Sequence, residues 1–315
     1  MAFRAAGLVV AGGGWFAALA VCLVMQLLVA TVYAELSSQF PIAGGAYKWA
    51  RQLGGAIAGQ YAGVIYICST IAMVTTTAYT GGFWLATFCG SPGDGGGMMV
   101  LWGAIFLLIC TLLNLAPVSI FNLVIKLGVY AEVVGSFGVA LLLFFFFRQH
   151  PVMELFQHMG SGTAPSEMAA FLAALAIAGW AFIGFDACST TAEETHQPKR
   201  MVPRAIFMSL LVVGTVVLFN SAALILAFEH DTLRNSSHTA DPVTPLIASS
   251  IGNWFEKPFL AIVMTAFLAC GASMVKYTSR IVFSMAREGN MPALLSQVTA
   301  SKTPRNAVLF KHTGQ

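Results

Sequence analysis

A helix that crosses a bilayer needs about 20 consecutive apolar residues, and the sequence contains seven charge-poor windows of that order. They cover residues 14–34, 58–88, 98–115, 123–147, 168–191, 205–228 and 258–286. A further apolar stub, Ala5 to Gly13, is too short to cross and runs into the triplet Gly12, Gly13 and Gly14. The window at 168–191 differs from the others. Gly179, Gly184 and Asp186 interrupt it, which predicts a helix broken near residue 184. No soluble domain or low-complexity linker lies between the windows, so the pattern predicts an all-α membrane protein with one transmembrane domain over residues 1–315.

Composition supports a membrane chain. Of 315 residues, 57% are hydrophobic and 9% charged, against about 25% charged in a soluble domain, and the mean hydropathy is +0.78. The 24 Phe tolerate lipid, and the 30 Gly let spanning helices approach and break. Six Cys are scattered through apolar runs with no CxxC or Cys/His spacing, so they read as small buried side chains and no metal is expected. Arg4 followed by an apolar run resembles a secretory signal, but the run is too long and six more spans follow.

Net charge is only +3, and its distribution matters more. Lys48, Arg51, Lys126, Lys199, Arg200, Arg204, Lys276, Arg280, Arg287, Lys302, Arg305 and Lys311 follow alternate spans; Arg4, Arg148, Arg234 and Lys257 lie on the opposite side. Lys and Arg in short loops favour the cytoplasm, so the larger group is expected inside. That orientation leaves Met1 outside, which predicts another span upstream. Thr303 to Phe310 starts a new apolar run that stops at Gln315. Both ends therefore read as cuts through a larger bundle.

In hydrocarbon a helix break is tolerated only where protein or a water-filled cavity satisfies the freed backbone groups. Discontinuous helices build transporter sites on that principle, with carbonyls meeting cations and half-helix N-termini meeting carboxylates. A zwitterionic amino acid needs both. Asp186 reads either as the N-cap of the second half-helix or as a contact for substrate or proton. Glu132 is an intramembrane carboxylate and a candidate for proton coupling, with a pair to Lys126 as the structural reading. Lys276 stands a turn from Arg280 and reads as a snorkelling side chain.

Glu35 closes the first full window ahead of Pro41, Gly44 and Gly45, which predict a tight non-helical corner on the inside. Its carboxylate is expected to bond that corner or a loop cation, in a structural or gating role. Glu193, Glu194, Lys199, Arg200 and Arg204 mix both signs on the inside face and would support a conformation-locking ion-pair network. Enzyme motifs are lacking: there is no P-loop, GxGxxG, GxSxG or HExxH, and all six His lie outside the apolar windows. Neither enzymatic activity, a cofactor nor a nucleic-acid partner is expected. The segment Gly93 to Gly97 reads as a flexible outside loop, and Asn235-Ser236-Ser237 in another outside loop is a glycosylation sequon.

Three segments, AELSSQFPIAGGAYKWARQLGG (34–55), IGFDACSTTAEETHQPKRMVPRAI (183–206) and SRIVFSMAREGNMPALLSQVTASKTPRNAV (279–308), occur in order. Together they resemble the amino acid–polyamine–organocation permeases, especially the branch of amino-acid, choline and GABA permeases, and the likeness covers essentially the whole chain. It implies the five-plus-five inverted-repeat (LeuT-like) bundle, with the seven windows as helices two to eight. By position it also implies a substrate site at Trp180, Ala181, Ile183, Gly184 and Phe185, with Asp186 opening the second half-helix. The family's Gly-rich break in its first helix would lie upstream, and helices nine to twelve would follow.

The leading expectation is a secondary transporter in the plasma membrane. It would move an amino acid or related amine (GABA, choline or a polyamine) by alternating access, coupled to protons or by exchange. Trp180, Phe182 and Phe185 suggest aromatic walls able to meet an apolar chain or a cation. Glu132, Glu35, Glu193, Glu194 and Arg200 are the candidates for coupling or gating. The competing expectation is a truncated, non-transporting remnant that acts as an interaction or regulatory membrane protein, or is inactive.

Overall fold

Charge-free apolar sequence becomes helix here because, in lipid, every backbone N–H and C=O has to be satisfied within its own segment. The computed structural model describes residues 14–42, 44–91, 96–157, 166–228, 247 and 250–296. The stub at 5–13, residues 93–95 of the glycine loop, the sequon and residues 297–308 of the third motif lie outside the described residues, as does the side chain of Glu194. Among the described residues, seven helical segments are long and apolar enough to span a membrane. The protein is an integral, multi-pass helical membrane protein.

Helix α1 covers Gly14–Gln39 and gives way to a non-helical stretch at Pro41, as expected ahead of a proline. Helix α2 covers Gly45–Phe88 with a kink at Gly55, whose φ of 82° and ψ of −177° are non-helical. Its start lies well before the apolar window at 58–88, because Lys48 and Arg51 keep a segment out of hydrocarbon without keeping it from being helical. Helix α3 covers Gly96–Leu115. The next span joins α4, Val118–Ala131, a π-helical segment, Glu132–Gly138, and α5, Val139–Phe146. A short α6 covers Glu154–Gln157. Helix α7 covers Glu167–Trp180 and is followed by a 3₁₀ segment, Phe185–Glu194. Helices α8, Pro198–Ala227, and α9, Glu256–Arg287, are the remaining long helices among the described residues.

The chain divides into two compact units. The first comprises the described parts of Met1–Ala34, Val133–Phe185 and Arg204–Phe259. In it α1 and α8 meet closely at Gly214, where an added Cβ would lie 2.3 Å from Leu23 Cδ1. Phe137 and Phe144 pack on Phe219 with ring centroids 5.5 and 5.6 Å away. The backbone N–H groups of Gln149 and His150 donate to the Leu226 carbonyl, closing the end of α8.

The second unit comprises the described parts of Glu35–Glu132, Asp186–Pro203 and Leu260–Gln315. Here α2 and α3 touch backbone to backbone, since a Cβ on Gly82 would lie 2.4 Å from the Gly103 nitrogen. The Asn114 amide of α3 donates to Cys110 O at 2.8 Å and to Ala272 O of α9 at 2.9 Å. An interhelical bond such as the one to Ala272 contributes about 0.6–2 kcal/mol in membranes. Tyr47, Ile67, Tyr277, Ile281, Val282, Met285, Ala286 and Leu295 form a buried apolar cluster that joins α2 to α9.

Candidate functional site

The interrupted span begins with a well-made helix. Ser166 caps α7, its Oγ accepting from Ala169 N at 3.2 Å, and Ala170, Ala174 and Ala178 place a buried stripe of small residues along one side. The α-helix ends at Trp180, and the chain turns through Ala181 to Gly184 before the 3₁₀ segment starts at Phe185. Gly184 has φ of 95°, a conformation that residues with a Cβ rarely adopt. A helix end leaves carbonyls, and a helix start leaves N–H groups, without intrahelical partners. Both kinds of group are therefore concentrated within a few residues of Gly184.

The residues around this turn differ in exposure. Phe182 is buried at 2% and Ile183 is 42% exposed, while Trp180, Ala181, Gly184, Phe185 and Asp186 are half-buried. On the first unit, Phe185 meets Tyr33 edge-on, with centroids 5.6 Å apart. On the second, Asp186 Oδ2 accepts hydrogen bonds from the hydroxyls of Tyr66 on α2 and Tyr277 on α9, the latter at 2.6 Å. The two hydroxyls also contact each other. Sequence alone offers capping or ligand contact for Asp186; the structure turns its carboxylate toward two tyrosines. The sequence marks that pairing only by tyrosines inside two apolar spans, Tyr61, Tyr66 and Tyr79 in one and Tyr277 in the other.

A second polar cluster lies where α9 ends. The chain leaves that helix through a Schellman arrangement: Asn290 N bonds Met285 O at 3.0 Å and Gly289 N bonds Ala286 O at 3.1 Å. This places Glu288 and Asn290 against the first turns of α2. Glu288 forms ion pairs with Lys48 and, at 2.7 Å, with Arg51 Nη1, and accepts from the Tyr47 hydroxyl at 2.6 Å. Tyr47 in turn accepts from Asn290 Nδ2 at 2.6 Å. Glu288 was not among the sequence candidates, although it sits inside the third motif.

The other sequence candidates disperse. Glu35 accepts from Gln39 Nε2 at 2.6 Å, so the carboxylate engages its own helix. Glu132 is the first residue of the π-helical segment. Glu193 stands 3.7 Å from Arg287, and both are largely exposed, while Arg200 is an exposed residue in the first turn of α8. Lys276 lies with Nζ 4.3 Å from the centre of the Phe121 ring, a cation–π arrangement where sequence suggested snorkelling.

Comparison with known proteins adds a separate line of observation. A family model described as amino acid permease matches residues 2–312. The glutamate/serine transporter AimA of Bacillus subtilis (strain 168) is 28% identical over 91% of this chain and 56% of its own length. The branched-chain amino acid permease BcaP of Lactococcus lactis subsp. cremoris (strain MG1363) is 26% identical over 89% of this chain and 62% of its own. The large neutral amino acids transporter small subunit 2 of Rattus norvegicus is 26% identical over 91% of this chain and 54% of its own. The chain thus spans a little over half of the length of these relatives.

Proposed function

Because this chain belongs to the amino acid permease family, a class of transporters and not of enzymes, we propose that it takes part in moving an amino acid or related amine across a membrane. The observation that carries the reading is the interruption of an apolar span at residues 181–184, with Gly184 at φ of 95°. Carbonyls at the end of α7 suit an ammonium group, and N–H groups at the start of the 3₁₀ segment suit a carboxylate. Trp180, Ala181, Phe182, Ile183, Gly184 and Phe185 are the proposed substrate contacts, with Asp186 at the opening of the second half. The mechanism is alternating access within a five-plus-five inverted repeat in the plasma membrane, coupled to protons or run as exchange, with Glu132 as the candidate proton carrier.

The substrates that the relatives are named for are α-amino acids: glutamate and serine, branched-chain, and large neutral ones. They support an α-amino acid ahead of GABA, choline or a polyamine. A competition screen in proteoliposomes tests this: uptake of a mixed radiolabelled amino-acid pool is measured against excess of each unlabelled class. Inhibition by one group of α-amino acids is expected. Competition by GABA, choline or polyamines alone would overturn the choice of substrate class.

A further inference from the structure

Asp186 is a carboxylate within an apolar span, and its surroundings extend beyond the substrate contact proposed above. Its Oδ2 accepts from Tyr66 and Tyr277, which come from two different long helices. Tyr277 lies ten residues before the end of α9 at Arg287, about 15 Å along the helix, and is 6% exposed. One carboxylate oxygen has lone pairs for both donors, and hydrogen bonds to a carboxylate are the strong ones in low-dielectric surroundings.

The rest of the 3₁₀ segment is laid along the same two helices. The Thr190 carbonyl accepts from Arg280 Nη1 of α9 at 3.5 Å, and Glu193 stands 3.7 Å from Arg287. At the start of α2, Gly45 leaves room for Ser189, whose Oγ would be 2.7 Å from an added Cβ. The Glu193–Arg287 pair is 44% and 60% exposed and so holds weakly. The tie at Asp186 is the strong one, and it falls two residues after Gly184.

We infer that Tyr66 and Tyr277 are positioning residues: they clasp the Asp186 carboxylate, hold the first turn of the 3₁₀ segment against α2 and α9, and must release it for that segment to move. The role in transport rests on the function proposed above; the clasp itself does not.

Cys188 supplies a native reporter, because it lies in the clasped segment and is half-buried. Its alkylation by N-ethylmaleimide is followed by peptide mass spectrometry on the protein in proteoliposomes without substrate. Tyr66→Phe and Tyr277→Phe keep the rings and remove only the hydroxyls. Each is expected to raise the Cys188 rate about tenfold, the scale set by losing one hydrogen bond to a charged group. Tyr61→Phe, at a 70% exposed position on the same helix, is expected to leave the rate unchanged. A rise in either variant supports the clasp and shows which hydroxyl carries it; no rise above the Tyr61→Phe control in either overturns it. In uptake assays the same variants are expected to change Vmax and not KM, whereas a change confined to KM would overturn the positioning role. A parent without uptake would count against the transport reading alone, because the alkylation result still decides the clasp.

Discussion

Glu288 gathers three donors into one carboxylate: Lys48, Arg51 and the Tyr47 hydroxyl. Its side chain is 20% exposed and that of Lys48 is 12% exposed, so the pair is neither fully wet nor fully desolvated. Removing the carboxylate charge takes from Lys48 and Arg51 the acid they share and leaves Glu193 as the other acid acting on Lys48. Glu288→Gln should therefore destabilise the protein by roughly 2 kcal/mol, below the range for a fully buried pair because water still reaches the site. Thermal unfolding in detergent checks this, and a midpoint equal to wild type would remove Glu288 from the stabilising network. The cluster was poorly legible in the sequence. Lys48 and Arg51 were informative there only as topology signals, since nothing local says that a glutamate 240 positions away is their partner. Glu35 illustrates the reverse, a carboxylate singled out by position that bonds within its own helix.

At the scale of elements, hydrophobicity carries most of the information because lipid imposes helix on any long apolar run. Seven helical segments among the described residues are long and apolar enough to span a membrane, and interruptions come where other forces act. Helix α2 begins at Gly45 because charge excludes a segment from hydrocarbon but does not stop a helix. The π-helical turn at Glu132–Gly138 was not legible, since one extra residue per turn leaves no mark in composition. Such turns occur often at functional sites, and Glu132 opens this one. If Glu132 carries the proton, Glu132→Gln should flatten the pH dependence of uptake while substrate exchange continues. A pH profile identical to wild type would assign the residue to helix geometry.

At the scale of the whole molecule, hydropathy finds spans but not how they are grouped. Within the single transmembrane domain that the sequence predicts over residues 1–315, the described residues group into two compact units. The grouping depends on contacts such as Gly82 on Gly103 and Gly214 on Leu23, which are set by shape and are invisible to a hydrophobicity window. One of the points where the chain passes from the first unit to the second is Phe185–Asp186, immediately after the Gly184 turn. The sequence marks this region because an acid inside an apolar run is costly unless it has work to do, and Asp186 stands beside Gly184 in such a run. Tyr66 and Tyr277 carry no such mark, because tyrosine in a membrane helix is not costly in the same way.

The measurement that bears most directly on the proposed function is amino-acid uptake into proteoliposomes by wild type and by Gly184→Leu. Leucine at φ of 95° is strained and would fill the turn, while the apolar span keeps its ability to insert. The wild type should show saturable uptake, and the variant, reconstituted to the same level, should match empty liposomes. Equal uptake by the two proteins would contradict a substrate site at the broken helix.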